Sequence, residues 1–267
     1  MHHNNPFLET AELRHGLYGD SSRLARRTGA LHAAKIRGRP VPEVLTELVP
    51  TGHDAGVVAD VGCGRGSTTA YLAQHWAAAT VTGFDQSSAL LAEARRRLPA
   101  GIRAEFVCAD FHTLPLQTSN VDVVVAAFCL YHAPDPGRVV AEFTRCLRPG
   151  GLAVLVTKSA DSYQELDELV AAAGLDQHAP NRRSLYETFH SDNAEQIVAN
   201  HLVVHEVLHH RHVFHYRDAE HAAHYLTTTP KYVLPPKQAV VEALEPLLDT
   251  TGVATTSTVS YLVAKRR

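Results

Sequence analysis

The sequence is short of several things at once, and each shortage removes a class of protein. Its 267 residues hold four cysteines, at 63, 108, 129 and 146. None forms a C-x-x-C pair, so neither a disulfide framework nor a zinc site is encoded. Each falls near an expected core element and reads as a small buried side chain; for Cys63, which lies in a glycine loop, a small side chain that fits remains the preferred reading. Apolar runs stay well below the ~20 residues that span a bilayer, and the polar start M-H-H-N-N-P lacks a signal-peptide profile. The expectation is a cytoplasmic protein with no membrane partner. Excess charge is missing too: Lys plus Arg number 25 against 28 Asp plus Glu, a net −3. No global field then attracts nucleic acid, and a small-molecule partner is the better expectation. Internal repeats and low-complexity linkers are absent, so the length fits one α/β domain with an added cap; a homodimer is left open.

What is present centres on V-V-A-D-V-G-C-G-R-G-S-T, Val57 to Thr68. Val57, Val58, Ala59 and Val61 form the apolar run of a strand covered on both faces, and helix-like spacing begins at Ser67. Gly62, Gly64 and Gly66 fall on the turn between them, where glycine permits positive φ and lets a ligand lie on bare backbone beside a helix N-terminus. This G-x-G-x-G, with Asp60 two residues before it, is not the G-x-G-x-x-G of dinucleotide binding. It resembles motif I of the class I S-adenosylmethionine (SAM)-dependent methyltransferases. The resemblance implies that Gly62, Cys63, Gly64 and Gly66 cradle the methionine half of SAM while Asp60 holds the loop or the ammonium group. An ordinary βα turn using glycine for geometry alone is the competing reading.

Further along, the alternation of strands and helices is regular. Thr80 to Phe84 is a strand ending in Asp85 and Gln86, 23 positions after Gly62. A carboxylate there is placed to accept both ribose hydroxyls, although a helix N-cap is the plain alternative. Ala104 to Cys108 leads to Asp110 and Phe111, which the family resemblance places at the adenine amino group and ring; Asp110 could instead be a turn residue. Asn120 to Ala127 is the fourth strand, and F-C-L-Y-H (Phe128 to His132) follows it. L-R-P-G-G (Leu147 to Gly151) stops the next helix and feeds a strand from Leu152 to Thr157. These matches, in order, resemble the type 11, ubiquinone/menaquinone-type small-molecule methyltransferases. The fold so implied is a Rossmann-like α/β domain: a seven-stranded, mostly parallel sheet with helices on both faces, N-terminal helices and a C-terminal helical lid. In domain terms, residues 1–50 form an N-terminal helical segment capping the cofactor and 51–267 the methyltransferase domain, with lid insertions across 160–250.

The flanks are less patterned. Residues 7–36 read as helix, and the stretch from Ser21 to Pro42 has six basic residues and no acidic one: a solvated face, or a rim that meets an anion. L-Y-G-D-S-S-R-L-A-R-R-T-G-A-L-H is similar to the opening helices of some natural-product methyltransferases, which implies that Tyr18, Arg27 and His32 close over the cofactor. Leu202 to Tyr216 and Thr255 to Val263 read as closing strands. Eight of the 18 histidines fall within residues 201–224, but on a strand their side chains diverge, so no metal site is expected.

For chemistry, His132 at a strand's carboxyl end is the candidate base, with a turn-bonding role weighed equally. Phe128 and Tyr131 are expected pocket wall, and Tyr131, His132, Arg182 and Lys231 candidate acceptor contacts. The function expected is methyl transfer from SAM, yielding S-adenosylhomocysteine, to a small acceptor in natural-product metabolism, an anionic one such as a carboxylate or isoprenoid diphosphate. A tRNA or protein methyltransferase and a non-catalytic SAM-binding regulator are the alternatives.

Overall fold

The computed structural model describes residues 5, 7–8, 21–49, 56–248 and 251–267. Among these, eight strands make one sheet: β1 (Lys35–Arg37), β2 (Val57–Val61), β3 (Thr80–Asp85), β4 (Glu105–Cys108), β5 (Val121–Ala127), β6 (Leu147–Lys158), β7 (Val203–Tyr216) and β8 (Val253–Lys265). Their order is β1-β7-β8-β6-β5-β2-β3-β4. β2 to β6 run parallel, β8 lies antiparallel between β6 and β7, and β1 is antiparallel to β7.

Continuous valine explains the centre. In β5 every residue from Val123 to Ala126 is fully buried, as parallel strands covered on both faces require. Alternate side chains serve opposite faces. Val124, Ala126, Ala59 and Val61 pack toward α5 (Pro136–Cys146), α6 (Gln164–Ala172) and α8 (Ala219–Leu226). Val58, Val123 and Val125 pack toward α2 (Val41–Leu48), α3 (Ser67–His75) and Trp76. The remaining helices are α1 (Ser21–Ala34), α4 (Ser88–Arg97), α7 (Ala194–Ala199) and α9 (Lys237–Leu244). None of the described helices is long and apolar enough to cross a membrane.

Three expectations need correction. The sheet has an eighth strand, because the helix expected to run to residue 36 ends at Ala34 and Lys35 to Arg37 pair with the open edge of β7 at Phe214 and Val213. Gly38, at φ +115°, lets the chain cross the His212 ring, which an added Cβ would meet at 2.5 Å. L-R-P-G-G belongs to the start of β6, with Gly150 and Gly151 bonded to Arg266 beyond the end of β8, so it is extended chain where a turn was expected. Cys108 is exposed, since it ends the edge strand β4.

Candidate active site

Strand order reverses at β2, which lies between β5 and β3, and open α/β sheets carry their ligand crevice at the carboxyl ends beside such a point. The glycine loop leaves β2 there. Gly62 and Cys63 donate their amides to the Phe84 carbonyl at 2.8 and 3.0 Å, tying the loop to β3. Gly62, Gly64 and Gly66 all have positive φ, at 71°, 55° and 74°. At Gly62 a Cβ would lie 2.4 Å from the Cys129 Cβ, whereas at Gly64 the nearest atom, on Leu24, is 3.9 Å away. The first glycine is demanded by packing and the second leaves backbone open.

Asp85 ends β3 against this loop. Its Oδ2 accepts from the Gly64 amide at 2.9 Å and its Oδ1 from the Ser87 amide at 2.8 Å. Burial raises its pKa while these two amides pull it back. Gln86 follows, and its carbonyl meets the Cys108 thiol. Asp60 lies deeper, 1% exposed, and accepts from the Thr69 hydroxyl at 2.6 Å, joining β2 to the first turn of α3. Burial pushes its carboxyl up to about 7, with Asp85 adding to the rise. The Cys63 thiol is also pushed up by burial and stays protonated.

One strand further out, the Ala109 amide bonds to the Asp85 carbonyl. Asp110 Oδ1 accepts from the His112 amide at 2.9 Å and sits 2.7 Å from His112 Nδ1, and Phe111 packs edge-on against His112. Asp60, the glycine loop, Asp85, Gln86, Asp110 and Phe111 thus share the carboxyl edge of three adjacent strands.

Of the residues expected to close over that edge, Tyr18 lies outside the described residues. α1 rests on the loop through Leu24, near Gly64, and through Thr28, whose hydroxyl accepts from Arg65 at 2.9 Å. The Arg27 guanidinium lies 5.2 Å from the Phe7 ring centre, it hydrogen-bonds Tyr225, and its charge reaches His132 and Lys158. His32 lies near Lys35, Lys158 and Arg65 of the glycine loop, its pKa lowered by burial and then by those charges.

On the β5 side, Phe128 takes φ 59° and bonds its amide to Val156. Tyr131 is buried, stacked on Phe7 at 5.4 Å and edge-on to Tyr186 at 4.9 Å. His132 Nδ1 lies 3.2 Å from the Phe7 carbonyl, which can only accept, so Nδ1 carries the proton and Nε2 the lone pair. Burial pushes this imidazole down to about 3, and it pushes His212 down to about 4. An unfolded imidazole takes a proton below about 6.5, whereas these two do not. The native state therefore loses stability as pH falls from about 6.5 toward 4. Thermal melts from pH 7 to 4 are expected to show that decline, and His212→Gln to flatten it; an unchanged slope would remove His212 from the account.

Arg182 and Lys231 both have carboxylate partners. Arg182 pairs with Asp176 at 2.7 Å, and Lys231 with the buried Asp167 at 2.5 Å, where Tyr232 also bonds. The sequence reading passed over Lys158, the last residue of β6. Its Nζ bonds the Tyr163 hydroxyl at 2.7 Å and faces the rings of Phe128, Tyr163 and Tyr186. The available signal was a cation ending a buried strand, the same position that marks Asp85. Within β7, His209 bonds Ser260 and His215 bonds the Thr251 carbonyl. Among the described residues, no three histidine, cysteine or acidic side chains gather as a metal site would need.

Comparison with known proteins fits this geometry. Residues 59–155 match the family described as a methyltransferase domain. A trans-aconitate 2-methyltransferase of Escherichia coli O157:H7 (strain EC4115 / EHEC) is 35% identical over 153 residues, 57% of this chain and 58% of that protein. The match therefore spans less than two thirds of the curated relative's length. Among solved structures, a Bacillus halodurans C-125 protein aligns at TM-score 0.60 and 17% identity, covering 86% of this chain and 99% of that one. Geranyl diphosphate C-methyltransferase from Streptomyces coelicolor A3(2), solved with Mg2+, geranyl diphosphate and S-adenosyl-L-homocysteine, aligns at TM-score 0.53 and 17% identity, covering 85% and 78%. At these identities the structural likenesses show the fold.

Proposed function

We propose that this chain, built on the class I methyltransferase fold, transfers the methyl group of SAM to a small anionic acceptor in the cytoplasm, as a step of natural-product metabolism. One observation carries the reading: open backbone at Gly64 lies within hydrogen-bond reach of a half-buried carboxylate, Asp85, at the strand-order reversal. That cradle fits a nucleoside whose ribose hydroxyls donate to Asp85 and whose amino-acid end runs over Gly62 to Gly66. Asp110 and Phe111 stand where an adenine amine and ring need an acceptor and a flat neighbour.

When bound, SAM supplies a methyl group on an electrophilic sulfonium centre. The protein's part is then orientation and exclusion of water. α1 touches the loop, and α6 and α8 pack on the face of the sheet that carries Val124 and Ala126 of β5. A neutral His132, fixed by the Phe7 carbonyl, can accept a proton if the acceptor has one to lose, although so low a pKa makes it a weak base. The acceptor-class part of the proposal draws support from the names of the relatives, one acting on trans-aconitate and one on geranyl diphosphate.

Incubation with methyl-labelled SAM and separated metabolite, RNA and protein pools tests the reading. Label is expected in the metabolite pool. Label in RNA or protein would shift the assignment to a macromolecular methyltransferase, and binding without transfer to any pool would make the chain a SAM-responsive regulator.

A further inference from the structure

Lys158 is a cation that the fold surrounds with aromatic rings and gives no ion pair among the described residues. It ends β6 level with Val259 of β8, which is in turn level with His210 of β7, so the sheet's carboxyl edge surrounds it and β7 continues beyond it through His212, Phe214 and Tyr216. Its Nζ lies 4.8 Å from the Tyr163 ring centre, 5.2 Å from Phe128 and 5.6 Å from Tyr186. Among the described residues, none of the ion pairs includes it. Among the described residues, the charged and titratable groups that act on it are Arg27 from α1 and Lys35 from β1, with His32 of α1 and His212 of β7 also near, and none is acidic. Burial and those charges push its ammonium down to about 7. A half-buried cation walled by aromatic rings and given no anion is costly, and such a group marks a candidate site for a ligand that brings the anion.

Two further observations point the same way. Of the three non-glycine residues with positive φ among the described ones, Phe128 and Tyr163 are both walls of this cage, and such strain collects where a ligand must be clamped. Beyond the cage, Tyr163, Tyr186 and Tyr225 line a cavity with Leu166, Leu185, Tyr232 and the paired Asp167 and Lys231. Close by, Tyr216 Oη and His212 Nε2 are buried with no hydrogen-bond partner among the described residues.

Resting on the proposed methyl-transfer reading, we infer that Lys158 and the aromatic cage of Phe128, Tyr163 and Tyr186 bind the carboxylate of a flat, unsaturated acceptor. An aromatic cage often takes a cationic ligand, but this one already encloses an ammonium, which repels a second. A diphosphate carries several charges and asks for several cations in direct contact, whereas Arg27 hydrogen-bonds Tyr225, Lys35 bonds the Arg39 carbonyl, and Arg182 and Lys231 are held by Asp176 and Asp167. One ammonium beside one phenol hydroxyl matches a single two-oxygen anion. The cage adjoins the cofactor loop, because Cys129, next to Phe128, packs on Gly62.

Calorimetry on the full chain saturated with S-adenosylhomocysteine tests this, using benzoate and trans-cinnamate, their amides, and geranyl diphosphate as probes. The carboxylates are expected to bind saturably and the amides at least tenfold more weakly. Because only the ammonium form recognises an anion, carboxylate affinity is expected to fall about tenfold per pH unit above about 7. Lys158→Met is expected to lose at least tenfold in carboxylate affinity, keep its affinity for S-adenosylhomocysteine, and melt higher than the parent. The pH series on the unmodified chain tests the same point without a variant. Equal binding of amide and carboxylate, carboxylate binding that survives Lys158→Met, no saturable carboxylate binding, or Lys158-dependent binding of geranyl diphosphate alone would each overturn the inference. Failure of the unmodified chain to bind S-adenosylhomocysteine would instead bring down the methyl-transfer reading beneath it.

Discussion

Replacing Asp85 with alanine is expected to weaken S-adenosylhomocysteine binding by roughly 10²- to 10⁴-fold. Hydrogen bonds to a charged group contribute about 1.5–3 kcal/mol each, and two ribose hydroxyls make two of them. Each 1.4 kcal/mol is about a tenfold change in Kd. The substitution also frees the Gly64 amide, which Asp85 now holds at 2.9 Å, so the loop loses its preset shape along with its anion. Calorimetry of the variant, with circular dichroism to establish folding, reads the effect. The acid limb carries a second signature. Burial raises the Asp85 pKa, so binding is expected to fail, as pH drops, above the range of an ordinary aspartate. A variant that binds as tightly as the parent would remove Asp85 from the cofactor site.

A larger loss of stability is expected from Gly62→Ala. An L-residue in the left-handed region costs about 1–2 kcal/mol, and overpacking about 1–3 kcal/mol. Both apply, since Gly62 has φ 71° and the new Cβ would lie 2.4 Å from Cys129 Cβ and 2.8 Å from its Sγ. The sum, about 2–5 kcal/mol, is a large share of the ~5–15 kcal/mol that holds a domain together. The two causes separate experimentally. Cys129→Gly removes both clashing atoms, so the double variant is expected to recover the steric part and leave the backbone part. Urea melts of the four proteins in the cycle provide the coupling energy. No coupling between the two positions would show that the loop does not lie against Cys129 as described.

How much of this could be read from the chain alone depended on whether the signal was local. Val121 to Ala127 can only be a doubly covered strand, and the glycines at 62, 64 and 66 follow a strand directly. A carboxylate at each of the next two strand ends put Asp85 and Asp110 on the same edge as the loop, and the structure brings them together there. The eighth strand left no such trace. Lys35-Ile36-Arg37 has no period of its own and pairs with residues nearly 180 positions away. Lys158 was missed because a charge after Leu152 to Thr157 reads as a strand boundary. Its neighbours Phe128, Tyr163 and Tyr186 converge from three separate connections. Arg182 and Lys231 seemed available for an acceptor because sequence displays charge and hides partners. Asp167 is 64 residues from Lys231, and it took the fold to join them.

The most direct test of the central claim is a crystal structure of the chain soaked with S-adenosylhomocysteine. The homocysteine end is expected along Gly62 to Gly66, both ribose hydroxyls within hydrogen-bond distance of the Asp85 carboxylate, and the sulfur facing Phe128 and the Lys158 cage. A nucleoside bound away from that loop, or density for no nucleoside at saturating concentration, would contradict it.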